Sequence, residues 1–580
     1  MSPPRTICIL RAGYQADAEG GFQIVQAEKL EIRLLSSLEK VFADEDLKAL
    51  EWKVGSMLLN EVYSFQVAYR WNDVRSSSAV ITISSELSGW ITVRKVGLAP
   101  SEFPCYGDHD DYVLRTTPGL YPDILLPLKD ESAPLVPLQW RSLWITVKPG
   151  GMAKAGIYPI IITFTSPSGD ELGKAEFRLE IINASLPEQS LIYTQWFHTD
   201  CLSTWYNAEV FSDRYWRIVK NYLETAVNHG ISMILTPLFT PPLDTDVGSE
   251  RPTVQLVDVE VCSRDHAGAA YKFGFERLRR WVDICLAVGI KYFELSHLFT
   301  QWGAKHAPKI MACKNGEYKR IFGWETDASG KEYRSFLSQF LPELINFINH
   351  HNLKDRVYFH VSDEPHMDHY ESYKNAASAI YPYIEGFPVI DALSDYKFYE
   401  TGLVKNPIPA TDHIEPFLEN KVPNLWTYYC CSQYKEVSNR FFNMPSARNR
   451  ILGTQLYKYN IAGFLQWGYN FWYSLLSRYP IDPYKVTDAS HSFPSGDAFL
   501  VYPGEDEKPL ESLRFEVFYE GLQDMRTLKL LESHTGYEET VNLLEKGLGY
   551  PITFKKYPRD AGWLLHKREE INRMIAGFIG

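Results

Sequence analysis

Two adjacent acids, Asp363 and Glu364, stand at the end of the stretch Arg356-Val-Tyr-Phe-His-Val-Ser-Asp-Glu-Pro365. Bulky apolar residues alternate through 357–362 and predict a buried β-strand. Pro365 stops it, because proline has no N–H to give to a ladder. Both carboxylates therefore belong where strand becomes loop. Two crowded carboxylates cannot ionise with equal ease, so one is pushed up and the other held down, as an acid/base pair at neutral pH requires. The competing reading is structural: Asp-Glu-Pro also opens ordinary helices, with acids near the N-terminal dipole and proline in the first turn. The setting favours chemistry. An apolar strand precedes the pair, a helix-like segment (366–381) follows it, and the loops around are rich in Trp, Tyr and His. Such a pair on an aromatic rim reads as that of a glycosidase.

The elements that must present these residues are read from periodicity. Up to about Leu186 the chain alternates between turns such as Pro149-Gly-Gly and Ser168-Gly, with strands at 80–84, 143–148, 157–164 and 175–182. Hairpin-linked strands of this length predict a β-sandwich, and Leu186-Pro187 reads as a linker. From Leu191 strands alternate with amphipathic helices, the pattern of a parallel α/β sheet. Candidate strands fall at 192–197, 232–237, 292–297, 357–362, 389–392, 408–413, 425–430 and 462–467, and helix-like segments at 214–228, 275–288, 333–350 and 447–459. Eight strands close a (β/α)8 barrel, which does its chemistry at their C-terminal ends. Beyond Gly496 a strand at 499–502 and long helices from Glu511 follow. The predicted fold is α/β plus all-β: an N-terminal β-sandwich (1–187), a TIM-type barrel (188–510) and a helical region packed on it (511–580).

Nearly every predicted strand runs into a polar or aromatic cluster, such as Trp196-Phe-His-Thr-Asp200 and Trp467-Gly-Tyr-Asn-Phe-Trp472. The candidate sugar contacts among them are Trp196, His198, His297, Asp391, Tyr428, Trp467, Asn470 and Trp472. Taken singly, each residue type is as easily core packing. Their recurrence at strand ends is what selects them.

Composition narrows the partners. A chain of 580 residues exceeds one ordinary core. Aromatics make up 14%, with 15 Trp and 36 Tyr, and aromatic faces stack on the apolar faces of sugars. A net charge of -13 without clustered Lys and Arg argues against nucleic acid. The most apolar stretch, 461–476, carries Gln466 and Asn470, so no membrane span is expected. The apolar run in Met1-Ser-Pro-Pro-Arg-Thr-Ile-Cys-Ile-Leu10 is too short for a signal sequence. Eight cysteines lack Cys-x-x-Cys spacing, Cys430 and Cys431 being neighbours, and a reducing cytoplasm is the simplest setting. His-Glu-x-x-His spacing is absent, and neither metal nor cofactor is expected.

These clusters, with the tail Gly496-Asp-Ala-Phe-Leu-Val-Tyr-Pro-Gly504 and Ser512-Leu-Arg-Phe-Glu-Val-Phe-Tyr-Glu-Gly-Leu-Gln-Asp524, closely resemble glycoside hydrolase family 123 and the wider DUF4091-type group. The likeness takes in Tyr121-Pro-Asp123 and the turn Ala155-Gly-Ile-Tyr158, and so spans nearly the whole chain. It implies an exo-acting β-N-acetylgalactosaminidase with an N-terminal β-sandwich, a (β/α)8 barrel and a catalytic Asp-Glu pair falling on Asp363 and Glu364.

The spacing suits one route to that activity. An ordinary retaining glycosidase places its nucleophile and acid on opposite sides of the sugar, about 5 Å apart, and sequence neighbours are poorly placed for this. In substrate-assisted catalysis the sugar's 2-acetamido oxygen attacks C1, forming an oxazolinium-type ring. Glu364 would then serve as general acid and later base, while Asp363 holds the acetamido N–H. A hydroxyl from Tyr428 or Tyr429 would complete the cradle, and only one of the two should face the pocket. The carbohydrate partner would be a glycan with a terminal β-linked GalNAc, or GlcNAc. Two alternatives remain: a glycosidase pairing Glu364 with a remote carboxylate such as Asp200, Asp391 or Asp395, and a non-catalytic carbohydrate-binding barrel.

Overall fold

Alternating burial organises the N-terminal part. In the computed structural model, which describes residues 14–16, 22–24, 29–265 and 268–579, Ile160, Ile162 and Phe164 on strand Gly156–Thr165 point inward, as do Phe177, Leu179 and Ile181 on Glu171–Ile182. The run Met1 to Leu10 lies outside the described residues. One five-stranded sheet runs Leu30–Ser36, Tyr63–Trp71, Trp140–Val147, Ile91–Ser101, Gly119–Pro127; a second runs Val54–Leu58, Glu171–Ile182, Gly156–Thr165, Ser77–Ser84, Ser132–Leu135. Inward side chains of both sheets form one buried cluster, within which Phe65 stacks on Phe177 at 4.1 Å. Each large side chain so buried stabilises the fold by roughly 1.5–3 kcal/mol.

The chain packs as two compact units: described residues up to Val96 with 126–183, and 97–125 with described residues from Ala184 onward. The stretch 97–125 reads in sequence as part of the N-terminal region, yet it groups with the second unit. Asp123 is its anchor there. Arg514 donates to both carboxylate oxygens at 2.8 and 3.0 Å, and Tyr502 adds a bond of 2.6 Å. An ion pair so enclosed is costly to break, because either partner left alone is an uncompensated buried charge.

In the second unit eight parallel strands succeed one another: Ile192–Gln195, Met233–Thr236, Tyr292–Leu295, Val357–Tyr358, Ile390–Ala392, Asn406–Ile408, Trp426–Tyr428 and Gly463–Gln466. Six of them form a sheet in the order fourth, third, second, first, eighth, seventh, and the fifth pairs with the sixth. Single parallel bridges, Phe359 to Val389 and Ala410 to Tyr428, join the fourth to the fifth and the sixth to the seventh. Helices fill the gaps, among them Asp213–Asn228, Glu276–Val288, Lys331–His350 and Tyr370–Ile380. The sixth strand overlaps its predicted window, 408–413, only at Ile408, because residues 411–413 turn after the bridge at Ala410. Insertions after the second and third strands build a further four-stranded sheet, in the order Gly268–Gly274, Asp258–Asp265, Ile310–Lys314, Glu317–Phe322.

The C-terminal helix Leu513–Thr535 packs tightly on Leu452–Lys458: a Cβ on Gly453 would lie 1.9 Å from the Gly521 carbonyl oxygen. Arg450 fixes the contact through Glu520 at 2.8 Å and Asp524 at 2.7 Å. Among the described residues no helix is long and apolar enough to cross a membrane.

Candidate active site

The fourth strand leaves its ladder early. Phe359 still bonds backbone to backbone with Pro388 and Ile390, but the N–H of Val361 donates to the Asp391 carboxylate at 3.0 Å, and the Ser362 hydroxyl donates to the carbonyl of Thr300. Side chains thus replace the sheet over the last half of the predicted strand 357–362. The next two residues are clamped by backbone: Trp302 N–H donates to the Asp363 carbonyl, and Glu364 N–H donates to the Ala392 carbonyl, each at 3.0 Å. Glu364 has φ of 42°, a left-handed conformation that costs a β-carbon-bearing residue on the order of 1–3 kcal/mol and persists only where surroundings enforce it. The consequence is geometric. Neighbours on a regular strand face opposite ways, whereas Asp363 and Glu364 line one cavity of about 160 Å³.

Its walls include Trp196, Trp302, Trp467 and Phe493, with Tyr428 and Asp244 among the polar groups. Tyr428 donates to Glu364 Oε1 at 2.7 Å. Tyr429, next in sequence, is fully buried against Phe464 on the other side of the strand. Burial lifts the Asp363 carboxyl well above the usual carboxylate range, and the charges of Glu364 and Asp244 lift it further. Asp244 is pushed up to about 7, chiefly by burial. A larger cavity of about 650 Å³, between Phe211, Arg277 and Tyr318, lies apart from the acid pair. Of its two carboxylates, Asp258 and Glu260, the first is paired with Arg277 at 2.8 Å.

Beneath the pair runs a buried charge network. His360 Nε2 meets Glu294 Oε1 at 2.7 Å and its Nδ1 meets Asp391 Oδ1 at 3.1 Å. These two acceptors outweigh burial and raise the imidazole to about 9, so it is charged at neutral pH. Asp391 is itself raised by burial, although His360, Tyr373 and Val361 N–H pull against it. Trp196 and Thr194 donate to Glu294 at 2.7 and 2.6 Å. His297 stacks on His360 at 4.1 Å, and burial followed by that neighbouring charge holds it well below the usual histidine value. His297, His360 and Asp391 bring metal-ligating atoms within 4.8 Å of one another. The two rings lie only 26° from parallel, however, so their in-plane lone pairs do not converge on one ion, and both His360 nitrogens already face carboxylates.

Of the candidates read from sequence, the structure gathers Asp363, Glu364, Trp196, Tyr428 and Trp467 at the cavity. Five lie elsewhere. His198 is buried between the Trp467 carbonyl and Arg251. Asn470 clamps the backbone of His198 through both ends of its amide. Trp472 packs on Trp205 and donates to the Val501 carbonyl. His297 and Asp391 belong to the network below. His198, Asn470 and Trp472 follow strands after which the chain folds back, and their polar atoms bond to that chain instead of lining the cavity. Asp200 is likewise taken up, by Arg251 at 2.7 and 2.9 Å, and Asp395 accepts from the N–H of Lys397, where a short helix begins. Sequence reasoning passed over Asp244, which lies beyond Thr240-Pro-Pro-Leu in a loop without periodicity.

A family model, glycoside hydrolase 123 catalytic domain, matches residues 196–531. The chain belongs to glycoside hydrolase family 123. It is therefore an enzyme that acts on carbohydrate. A solved family 123 glycoside hydrolase from Clostridium perfringens, described for glycolipid glycan hydrolysis, is 16% identical with a TM-score of 0.72, covering 95% of this chain and 98% of that one. Its overlay shows a shared fold. A Bifidobacterium dentium β-glucuronidase (10% identity, 86% of this chain, 66% of that one) and a Thermotoga petrophila endo-β-1,4-mannanase (13%, 59% and 78%) overlay at TM-score 0.32, too loosely to bear on the site. No curated protein matches the sequence.

Proposed function

We propose that this family 123 enzyme is an exo-acting, retaining β-N-acetylgalactosaminidase working by substrate assistance. The observation that carries the reading is the convergence of two sequence-adjacent carboxylates on one cavity, one of them hydrogen-bonded to a tyrosine. The remote carboxylates considered for direct displacement, Asp200, Asp391 and Asp395, do not line that cavity. Its volume, about 160 Å³, falls below the roughly 300–1,000 Å³ of ordinary ligand clefts and suits one terminal sugar. The parallel pairings and two bridges support a closed (β/α)8 barrel, and the shared core of the two N-terminal sheets supports a β-sandwich.

In this mechanism Glu364 protonates the departing oxygen while the acetamido oxygen attacks C1, and then, as base, activates the water that opens the oxazolinium ring. Asp363 accepts the acetamido N–H and offsets its growing positive charge; in the empty pocket its raised carboxyl favours the protonated form, and the N–H donor is what draws it into the ionised one. Tyr428 gives its hydrogen to Glu364 in the empty pocket. Once Glu364 carries a proton, that hydrogen is available to the acetamido oxygen. Trp196 and Trp467 wall the acetamido methyl and the ring.

A panel of aryl β-glycosides with and without the 2-acetamido group tests the proposal. Turnover of the β-N-acetylgalactosaminide, slower turnover of its gluco epimer and none of the plain β-galactoside are expected. Comparable hydrolysis of the plain galactoside overturns it.

A further inference from the structure

We infer that Asp244 selects the terminal sugar: it accepts a hydrogen bond from a ring hydroxyl and turns away sugars that carry a sulfate or carboxylate there. The inference rests on the reading of Asp363 and Glu364 as the reacting pair, and it adds a third carboxylate with a different task.

Asp244 is built in firmly. Its N–H donates to Gln301 Oε1 at 2.6 Å, and its carbonyl accepts from the Ser477 hydroxyl at 2.6 Å. Its φ of 48° is left-handed, a strain that these clamps sustain. All of this fixes the backbone, while the carboxylate lines the cavity and has no hydrogen bond from the described residues. Arg251 is the nearby cation, but its guanidinium is committed to Asp200 and to the Leu243 carbonyl. A partly desolvated acceptor held without a partner at a sugar pocket is completed by a substrate hydroxyl, and a sugar lacking that hydroxyl leaves it unpaired.

The lining also carries Asp363 and Glu364 and contains no Lys, Arg or His. A sulfate ester or uronic carboxylate would bring a fixed negative charge into a pocket whose own acids Asp363 and Asp244 are already pushed toward their neutral forms by burial, with no cation to receive it, and such a charge is disfavoured there. The substrate is therefore an uncharged terminal sugar. Where a glycan ends in a sulfated residue, hydrolysis of the sulfate ester must come first, releasing sulfate and leaving the free hydroxyl that Asp244 reads.

Kinetics on aryl β-N-acetylgalactosaminide, its 4-deoxy and 6-deoxy analogues and its 4-O- and 6-O-sulfates, with wild type, Asp244→Asn and Asp244→Ala, decide the matter. Wild type should prefer the unmodified sugar over the analogue altered at the position read by roughly a hundredfold or more in kcat/KM. In Asp244→Ala, which has no acceptor, the penalty for deleting that hydroxyl should vanish, and in Asp244→Asn, which keeps an acceptor without the charge, the penalty for its sulfate should fall to within about tenfold. Equal cleavage of sulfated and free sugars by wild type overturns the inference, as does an equal loss by Asp244→Asn on every substrate. Abolished turnover in Asp244→Ala that azide restores also overturns it, by making Asp244 the nucleophile. Binding of an acetamido-thiazoline and a melting curve confirm that each variant is folded. If the plain β-galactoside proves to be the substrate, the acetamido mechanism fails, and the same hydroxyl and sulfate comparison in the galactoside series still decides Asp244.

Discussion

Tyr428 gives its phenolic hydrogen to Glu364 Oε1 at 2.7 Å, from the end of the seventh strand to the loop that follows the fourth. A side chain that reaches across the mouth of the strands to hold one carboxylate is a positioning device before it is anything else. Tyr428→Phe keeps the ring and removes the donor. The expected result is a loss in kcat of roughly ten- to a thousandfold, in the range of a lost preorganised hydrogen bond, with the melting temperature nearly unchanged. Unaltered kcat would reduce Tyr428 to a wall of the pocket.

Glu364 is assigned the proton that leaves with the aglycone. General acid catalysis contributes typically 10²–10⁴-fold, and most where the leaving oxygen is basic. Glu364→Gln should therefore nearly abolish cleavage of natural glycosides and retain more activity on activated aryl ones. Rates measured along a leaving-group series check this, and an equal loss across the series would remove Glu364 from the role.

The acid pair was legible because an apolar run ending in Asp-Glu-Pro leaves few other places for it, and the two N-terminal sheets were legible because a period of two is written in residues such as Ile160, Ile162 and Phe164. The lining of the cavity was less so. His198, Asn470 and Trp472 carry the same residue types at the same kind of strand end as Trp196 and Trp467, and what separates them is the path of the chain after the strand, which periodicity does not encode. Asn470 folds back onto the His198 backbone. Trp196 faces the cavity and also bonds Glu294. Asp244 owes its place to a left-handed turn held by Gln301 and Ser477, from two distant segments, and no local signal announces such a turn.

His360 should govern the alkaline side of stability. Its imidazole is raised to about 9 by the two carboxylates that flank it, above the unfolded value of about 6.5. A group raised in the folded state contributes fully below its unfolded value and loses that contribution as pH rises through the folded one. Wild-type stability should thus decline between about pH 6.5 and 9 in part through this group. His360→Gln leaves Glu294 and Asp391 without their cation, a loss on the order of 3–5 kcal/mol, and it should lack that limb. Denaturant melts across pH 6 to 10 compare the two, and an unchanged pH profile in the variant would show that His360 is not charged.

On the proposed mechanism Asp363 should join function and stability with opposite signs. Burial and two neighbouring carboxylates raise its carboxyl well above the usual value, so the folded chain holds the proton more tightly than the unfolded chain does. Its contribution is most favourable below the unfolded value of about 3.9 and is lost as pH rises through the folded value. Asp363→Asn keeps the shape and cannot ionise. It should match wild type in stability near pH 4 and exceed it at pH 8, while kcat falls on the order of a hundredfold to a thousandfold with little change in KM, the pattern of an interaction made mainly in the transition state. Were Asp363 only the cap of the following helix, asparagine would cap as well and turnover would persist. Melting curves at the two pH values and steady-state kinetics on one variant therefore separate the two roles: a residue that charges the site at the expense of the fold loses activity and gains stability together.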